Sequence, residues 1–148
     1  MAAATLTRRM VLAGLGASLV PRATTAQAEE VRWSTGSEKP RFAAPAGATD
    51  CHSHTYDKTY PAMKGATLLP EDALPDDYRA LQRRIGTTRG VIIQPSTYGT
   101  DNRLQIASRQ ALGADNFRVV AVVPEDISNA DLRQLDEQLV RLEALAVF

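Results

Sequence analysis

Two short apolar runs, Gly90-Val91-Ile92-Ile93-Gln94 and Phe117 to Val123, each close on a proline, Pro95 and Pro124, and each is followed by a stretch with helical spacing. This alternation constrains the fold more than anything else in the chain. Runs apolar at consecutive positions suit strands covered on both faces, as in parallel sheets. Strands that alternate with amphipathic helices pair in parallel through right-handed crossovers. Thr49 to His54 is predicted as the first strand of the series. A helix is predicted over 76–85, where Tyr78, Leu81 and Ile85 share a face, Asp76 and Asp77 suit the first turn, and Gly86 stops it. A second is predicted over 102–112, with Asp101 as N-cap and Gly113 past its end. A third is predicted over 129–146, running through residue 142 and beyond, because Leu132, Leu135, Leu139, Leu142 and Ala146 form one stripe without Gly or Pro. Residues 56–74 read as a long loop punctuated by Pro61, Gly65 and Pro70.

In folds of this kind the chemistry lies at the carboxyl ends of the strands. The first strand ends Asp50-Cys51-His52-Ser53-His54, and these are the only two histidines in the chain. Residues two apart on a strand face the same way. Two imidazoles on one face can ligate one metal ion, or bind an anion and relay a proton. Asp50 shares their parity but sits two residues back toward the strand's start. Cys51 is out of phase and is expected to be a small buried residue pointing away. The segment 94–102 follows the second strand and 124–128 the third, so the polar residues gather on one rim. The loop Gln94-Pro95-Ser96-Thr97-Tyr98-Gly99-Thr100-Asp101-Asn102 is dense in hydroxyl and amide groups and leads into a helix N-terminus. Such a loop suits a polyanionic ligand; it reads equally as a capped turn serving only the helix.

The chain has 148 residues and a formal net charge of zero, which gives no indication of nucleic acid as a partner. A single cysteine, Cys51, excludes an intramolecular disulfide. No apolar run reaches the roughly 18–20 residues needed for a stable membrane span. Residues 1–28 read as an export signal: Arg8-Arg9 precede a mildly apolar stretch from Met10 to Val20, and Ala26-Gln27-Ala28 offers a small-x-small cleavage site. The pattern resembles a bacterial twin-arginine signal, so a periplasmic or otherwise exported product is expected. Cleavage would remove Arg8, Arg9 and Arg22 from the 17 basic residues, leaving 14 against 17 acids. Residues 29–47 contain Gly36, Pro40, Pro45 and Gly47 without periodicity and read as an extended leader, with Trp33 and Phe42 able to pin it to a surface. Residues 48–148 form the expected α/β domain.

The His-x-His pair at the end of the first strand resembles the amidohydrolase superfamily. The segment from Gly86 to Asn102, with its Gln-x-Ser-x-x-Gly-Thr-Asp-Asn loop, resembles the branch that contains 2-pyrone-4,6-dicarboxylate lactonase and D-galactarolactone isomerase, as does the loop with Tyr60-Pro61 and Gly65-Ala66-Thr67. The resemblance runs from about residue 48 to 138 and implies the first three βα units of a distorted (β/α)8 barrel. It implies an exported hydrolase of a lactone or carboxylated cyclic ester, with His52 and His54 as catalytic residues. Ser96, Tyr98, Thr100 and Asn102 would bind the carboxylates or hydroxyls of a sugar-acid or dicarboxylate substrate. Under one form of the resemblance no metal is bound and the histidines polarise the lactone carbonyl; under the other, His52 and His54 are ligands of a divalent zinc or manganese ion. A complete barrel needs about 250 residues. The chain is therefore expected to be an inactive fragment, half of a split enzyme with a complementing chain, or a non-catalytic periplasmic binding module. The edge of the third strand is expected to lie open.

Overall fold

A computed structural model describes residues 31–139 and 145–147. The expected export signal lies outside the described residues. The elements are β1 (Thr49–Ser53), α1 (Pro75–Ile85), β2 (Arg89–Ile93), a single 3-10 turn (Ser96–Tyr98), α2 (Arg103–Leu112), β3 (Phe117–Val123), α3 (Asn129–Leu139) and β4 (Leu145–Val147). The strands form one parallel sheet in the order β1-β2-β3-β4. Among the described residues no helix is long and apolar enough to cross a membrane.

Local chemistry explains where the helices begin and end. Pro75 opens α1, where its fixed φ suits a helix and its missing N–H would have had no partner. Asp77 Oδ2 accepts the Leu74 N–H at 2.9 Å. Gly86 ends the helix in the left-handed region at φ 83°, and its N–H donates to Gln82 O. Helix α3 is capped by Ser128, whose Oγ accepts the Asp131 N–H at 3.0 Å. In α2, Asp101 does not stand at the cap position. Asn102 does, without a capping bond from its side chain, while Asp101 Oδ1 accepts the Arg103 N–H at 3.2 Å.

The core lies between the sheet and its helices. Ile92, Phe117, Val119 and Ala121 are buried there, with Tyr78 of α1, Ile106 and Leu112 of α2 and Leu135 of α3 packed on them. Gly90 faces the same layer. A β-carbon at Gly90 would stand 2.5 Å from Phe117 Cε1 and 3.2 Å from the Tyr78 hydroxyl. Phe117 cannot easily yield, because it is 1% exposed and meets Tyr78 edge-to-face at 6.0 Å. Gly90→Ala is therefore expected to destabilise the domain by about 1–3 kcal/mol through overpacking, read as a lowered urea midpoint. Adding Phe117→Leu should return part of the loss; an unchanged midpoint for the single variant would contradict this packing. The other sheet face is less covered, with Val91, Ile93 and Val120 only half-buried.

Beyond the cap of α2, three expectations need correction, and a fourth, the face of Asp50, has the same origin as the last of them. The third helix does not continue to 146: it is described from Asn129 to Leu139, residues 140–144, and with them the expected run through 142, lie outside the described set, and Leu145–Val147 forms β4. The edge of β3 is consequently not open, since Ala121, Val122 and Val123 pair with Leu145, Ala146 and Val147. A short apolar segment is compatible with either state, and the unpaired N–H and C=O groups of β3 decide it in favour of a strand. Cys51 is not buried but exposed.

The third correction has its origin in a bulge in β1. Asp50 is in register with Gly90 but Ser53 with Ile92, so three steps on one strand match two on the other. Asp50 and Ser53 thus both face the helix layer. Asp50 Oδ2 accepts the Tyr78 hydroxyl at 2.8 Å. Burial, followed by that carboxylate, holds the Tyr78 hydroxyl well above the usual tyrosine range. Asp50 therefore does not share the histidines' face, contrary to simple alternation.

Candidate functional site

The bulge leaves His52 and His54 together on the less covered face. Their Nε2 atoms lie 3.2 Å apart, with the rings edge-to-face and centroids 4.9 Å apart. His54 Nδ1 lies 2.8 Å from the Ile93 carbonyl oxygen. A carbonyl only accepts, so Nδ1 carries a proton, and Nε2 is then a lone pair in the neutral ring of His54 and a second donor in the cationic one. The Asp50 carboxylate, in turn, fixes the strand beneath the pair by accepting the His52 backbone N–H at 3.1 Å. One ring is thus oriented from behind and its reactive nitrogen converges with that of its neighbour.

That geometry suits either a proton or a metal ion between the two nitrogens. Two nitrogens bound to one tetrahedral zinc at ~2.0–2.1 Å stand about 3.3 Å apart, close to the 3.2 Å here. The backbone carbonyl behind His54 is the outer partner that ligating histidines commonly have. The pair fits two positions of a metal site. Among the described residues no group of three or more His, Cys, Asp or Glu could complete one.

The histidines line a cavity of about 210 Å³ with Arg32, Trp33, Asp50, Ser53, Ala73, Leu74, Asp77, Tyr78 and Leu81, around the β1 edge of the sheet. The loop after β2 lines a different one. Ser96, Tyr98, Gly99, Thr100 and Asp101 join Pro61, Ala62, Met63 and Val122 around a cavity of about 480 Å³. The two sets of expected site residues therefore do not share one cavity. An aromatic ladder links them: His54 to Tyr56 at 6.1 Å, then Tyr56 to Tyr98 at 6.4 Å.

The four expected binding residues divide by what their polar atoms already do. Ser96 and Thr100 are exposed at the larger cavity. Tyr98 is 5% exposed and its hydroxyl is held by the Asp57 backbone, accepting the N–H at 2.9 Å and donating to the carbonyl at 3.2 Å. Burial raises the pKa of this hydroxyl. Tyr98 therefore offers the cavity a ring wall. Asn102 lines neither cavity. Its amide brackets Val122, with Oδ1 accepting the N–H at 2.9 Å and Nδ2 donating to the carbonyl at 2.7 Å and to Thr100 O at 3.0 Å. Gln94 works similarly from β2: it is 5% exposed and its Nε2 donates to Gly99 O at 2.8 Å and Asp101 O at 2.9 Å. Asn102 and Gln94 fix the loop that presents Ser96 and Thr100. Arg103 adds a third tie at the surface, its guanidinium holding the Asp101 carboxyl below the usual carboxylate range.

Sequence reasoning passed over Arg32 and gave Trp33 only the part of pinning the leader to a surface; both wall the histidine cavity. The one signal for them was compositional: the chain's only tryptophan, beside an arginine, in an otherwise small and polar segment.

A parallel βα sheet with paired histidines at the end of β1 defines a class, and comparison with known proteins agrees. Residues 49–143 match the model of the amidohydrolase family. The chain belongs to that family. It is 34% identical over 111 residues to a 2-pyrone-4,6-dicarboxylate hydrolase of Comamonas testosteroni, covering 74% of this chain and 36% of the relative. It is 33% identical over 98 residues to a D-galactarolactone isomerase of Agrobacterium fabrum, covering 65% of this chain and 33% of the relative. A crystal structure of an Agrobacterium tumefaciens protein superposes with a TM-score of 0.62 at 31% identity, covering 69% of this chain and 36% of that one. The fold is thus part of the barrel of that family, and the chain spans about a third of the length of these relatives.

Proposed function

We propose that these residues form the first part of a lactone-processing amidohydrolase acting on a lactone or carboxylated cyclic ester. The observation that carries this reading is the convergence of the His52 and His54 Nε2 atoms at 3.2 Å, with His54 set from behind by Ile93 O. With a proton on each Nε2, nitrogens so placed can donate to one carbonyl oxygen and stabilise the charge that grows on it during attack. Where a divalent zinc or manganese ion is held, His52 and His54 supply two of its ligands, and the ion contributes Lewis acidity and an activated water. Ser96 and Thr100 present unoccupied hydroxyls for the carboxylate or hydroxyl groups of the substrate, Tyr98 forms a wall, and Asn102 holds the loop.

The relatives named above, a pyrone dicarboxylate hydrolase and a sugar-acid lactone isomerase, support lactones as the substrate class. The test is a chimera in which residues 48–139 replace the matching segment of the Comamonas hydrolase. The chimera is expected to hydrolyse the pyrone dicarboxylate lactone, whereas the 148-residue chain alone is expected not to. A folded chimera with no turnover would refute the reading of this segment.

We propose further that residues 1–28 direct export and are removed after Ala28. The order of Arg8-Arg9, a mildly apolar core and Ala26-Gln27-Ala28 supports this. Exported material should begin at Glu29 on N-terminal sequencing; a soluble product that retains Met1 would count against it.

A further inference from the structure

The segment before β1 is built into the rim. Val31 is 4% exposed, and the Trp33 indole N–H donates to Asp72 O at 3.0 Å. Arg32 lies over the Trp33 ring at 4.9 Å from its centroid. Trp33 has a φ of 62°, the one positive value at a non-glycine residue among those described. Holding such a conformation costs of order 1–3 kcal/mol and is met chiefly where function fixes it. Further along, Arg84 in the last turn of α1 bonds Ser34 Oγ and Gly36 O. The segment is therefore tied near both ends of α1, and its first residues reach the histidine cavity.

The polar groups of that cavity are unevenly committed. Both oxygens of Asp50 are occupied, by the Tyr78 hydroxyl and the His52 N–H. Asp77 Oδ2 holds the Leu74 N–H, and Ser53 Oγ donates to Val91 O. Arg32 forms one loose ion pair, with Asp77 Oδ1 at 3.8 Å, which is beyond hydrogen-bond length, and its side chain is 57% exposed. The guanidinium thus retains its donors, beside two histidine nitrogens. Asp50 and Ser53 are committed and Asp77 Oδ1 has only its loose pair with Arg32, so the free guanidinium, with any proton carried at the histidine Nε2 atoms, favours a ligand rich in acceptor oxygens.

We propose that Arg32, seated on Trp33, is a specificity-determining residue of the histidine cavity and takes one carboxylate of a di- or tricarboxylate whose other end meets His52 and His54. The histidine end of this assignment rests on the lactone reading above; the arginine end does not.

Trp33 is the chain's only tryptophan, so its fluorescence reports directly on the cavity. The experiment titrates citrate, as a tricarboxylate probe, into the 148-residue chain. A saturable change in Trp33 emission is expected. Arg32→Ala should weaken the fitted affinity at least tenfold, roughly the loss of a charge-assisted hydrogen bond. Its unfolding midpoint should match the parent, and Arg32→Lys, which keeps the charge but not the planar fork, should recover part of the affinity. An absent or non-saturating response in the parent chain, or equal affinity for the parent and Arg32→Ala, would overturn the proposal. The His52→Ala, His54→Ala double variant separates the two readings. Binding lost in Arg32→Ala but unchanged in the double variant would uphold the arginine assignment and count against the histidine end. Binding lost only in the double variant would do the reverse.

Discussion

His52→Ala in the barrel chimera is expected to lower kcat for lactone hydrolysis by about 100-fold or more with the fold intact. The magnitude follows from removing one preorganised donor or ligand from a site that stabilises developing charge, where single deletions cost roughly 10²–10³ in rate. The pair stands 3.2 Å apart at Nε2, so both rings must address one atom, whether a carbonyl oxygen, a proton or a metal ion. Their effects should accordingly be non-additive: the double alanine variant should be little worse than either single one. His54→Ala removes in addition the Nδ1 bond to Ile93 O that ties the end of β1 to β2, so it should also lower stability. Equal turnover by parent and His52→Ala would exclude the pair from the chemistry. Multiplicative losses in the double variant would mean that the rings act on different atoms.

Asn102→Ala should cost about 3 kcal/mol of unfolding free energy, measured by denaturant titration. Asn102 is 7% exposed, and its amide satisfies the N–H and the carbonyl of Val122 as well as Thr100 O. Truncation abandons these groups where water reaches poorly, at roughly 1–3 kcal/mol for each left unsatisfied. Asn102→Asp retains the acceptor for the Val122 N–H but has no donor for the two carbonyls, and is expected to destabilise comparably. A surface ligand-binding asparagine would show neither loss. Stability unchanged in both variants would return Asn102 to the list of groups available to substrate.

The regular part of the fold was legible because its determinants are local. Asp76 and Asp77, Gly86 and Gly113 mark helix ends, and the apolar runs at 90–94 and 117–123 locate strands to within a residue. The features that escaped are non-local. Leu145–Val147 is a strand because β3 offers it a partner, and the leucine stripe of α3 carries no sign of where pairing takes over. Asn102 reads as one polar residue among several in a loop; its bond to Val122, 20 residues away, assigns it to the scaffold. The Arg32–Trp33 wall was hidden for a similar reason, since a segment held by contacts 39 to 50 residues away has no period of its own. The histidine pair was legible, but its face was inferred from an alternation that the bulge does not follow.

That bulge sets a tolerance of an unusual kind for this strand. Asp50 faces the helices and the histidines face the open side only because two residues of β1 stand against one of β2. Exchanging Cys51 for another small residue leaves this count unchanged. Deleting it would take the bulge out: Asp50 and Ser53 would stand two steps apart, as Gly90 and Ile92 do, and plain alternation would hold the anchor for Tyr78 on one face and the histidine pair on the other. In a lineage of such chains, the position of Cys51 should therefore accept changes of letter readily, and its loss should leave Asp50 and the histidines on the faces they hold now.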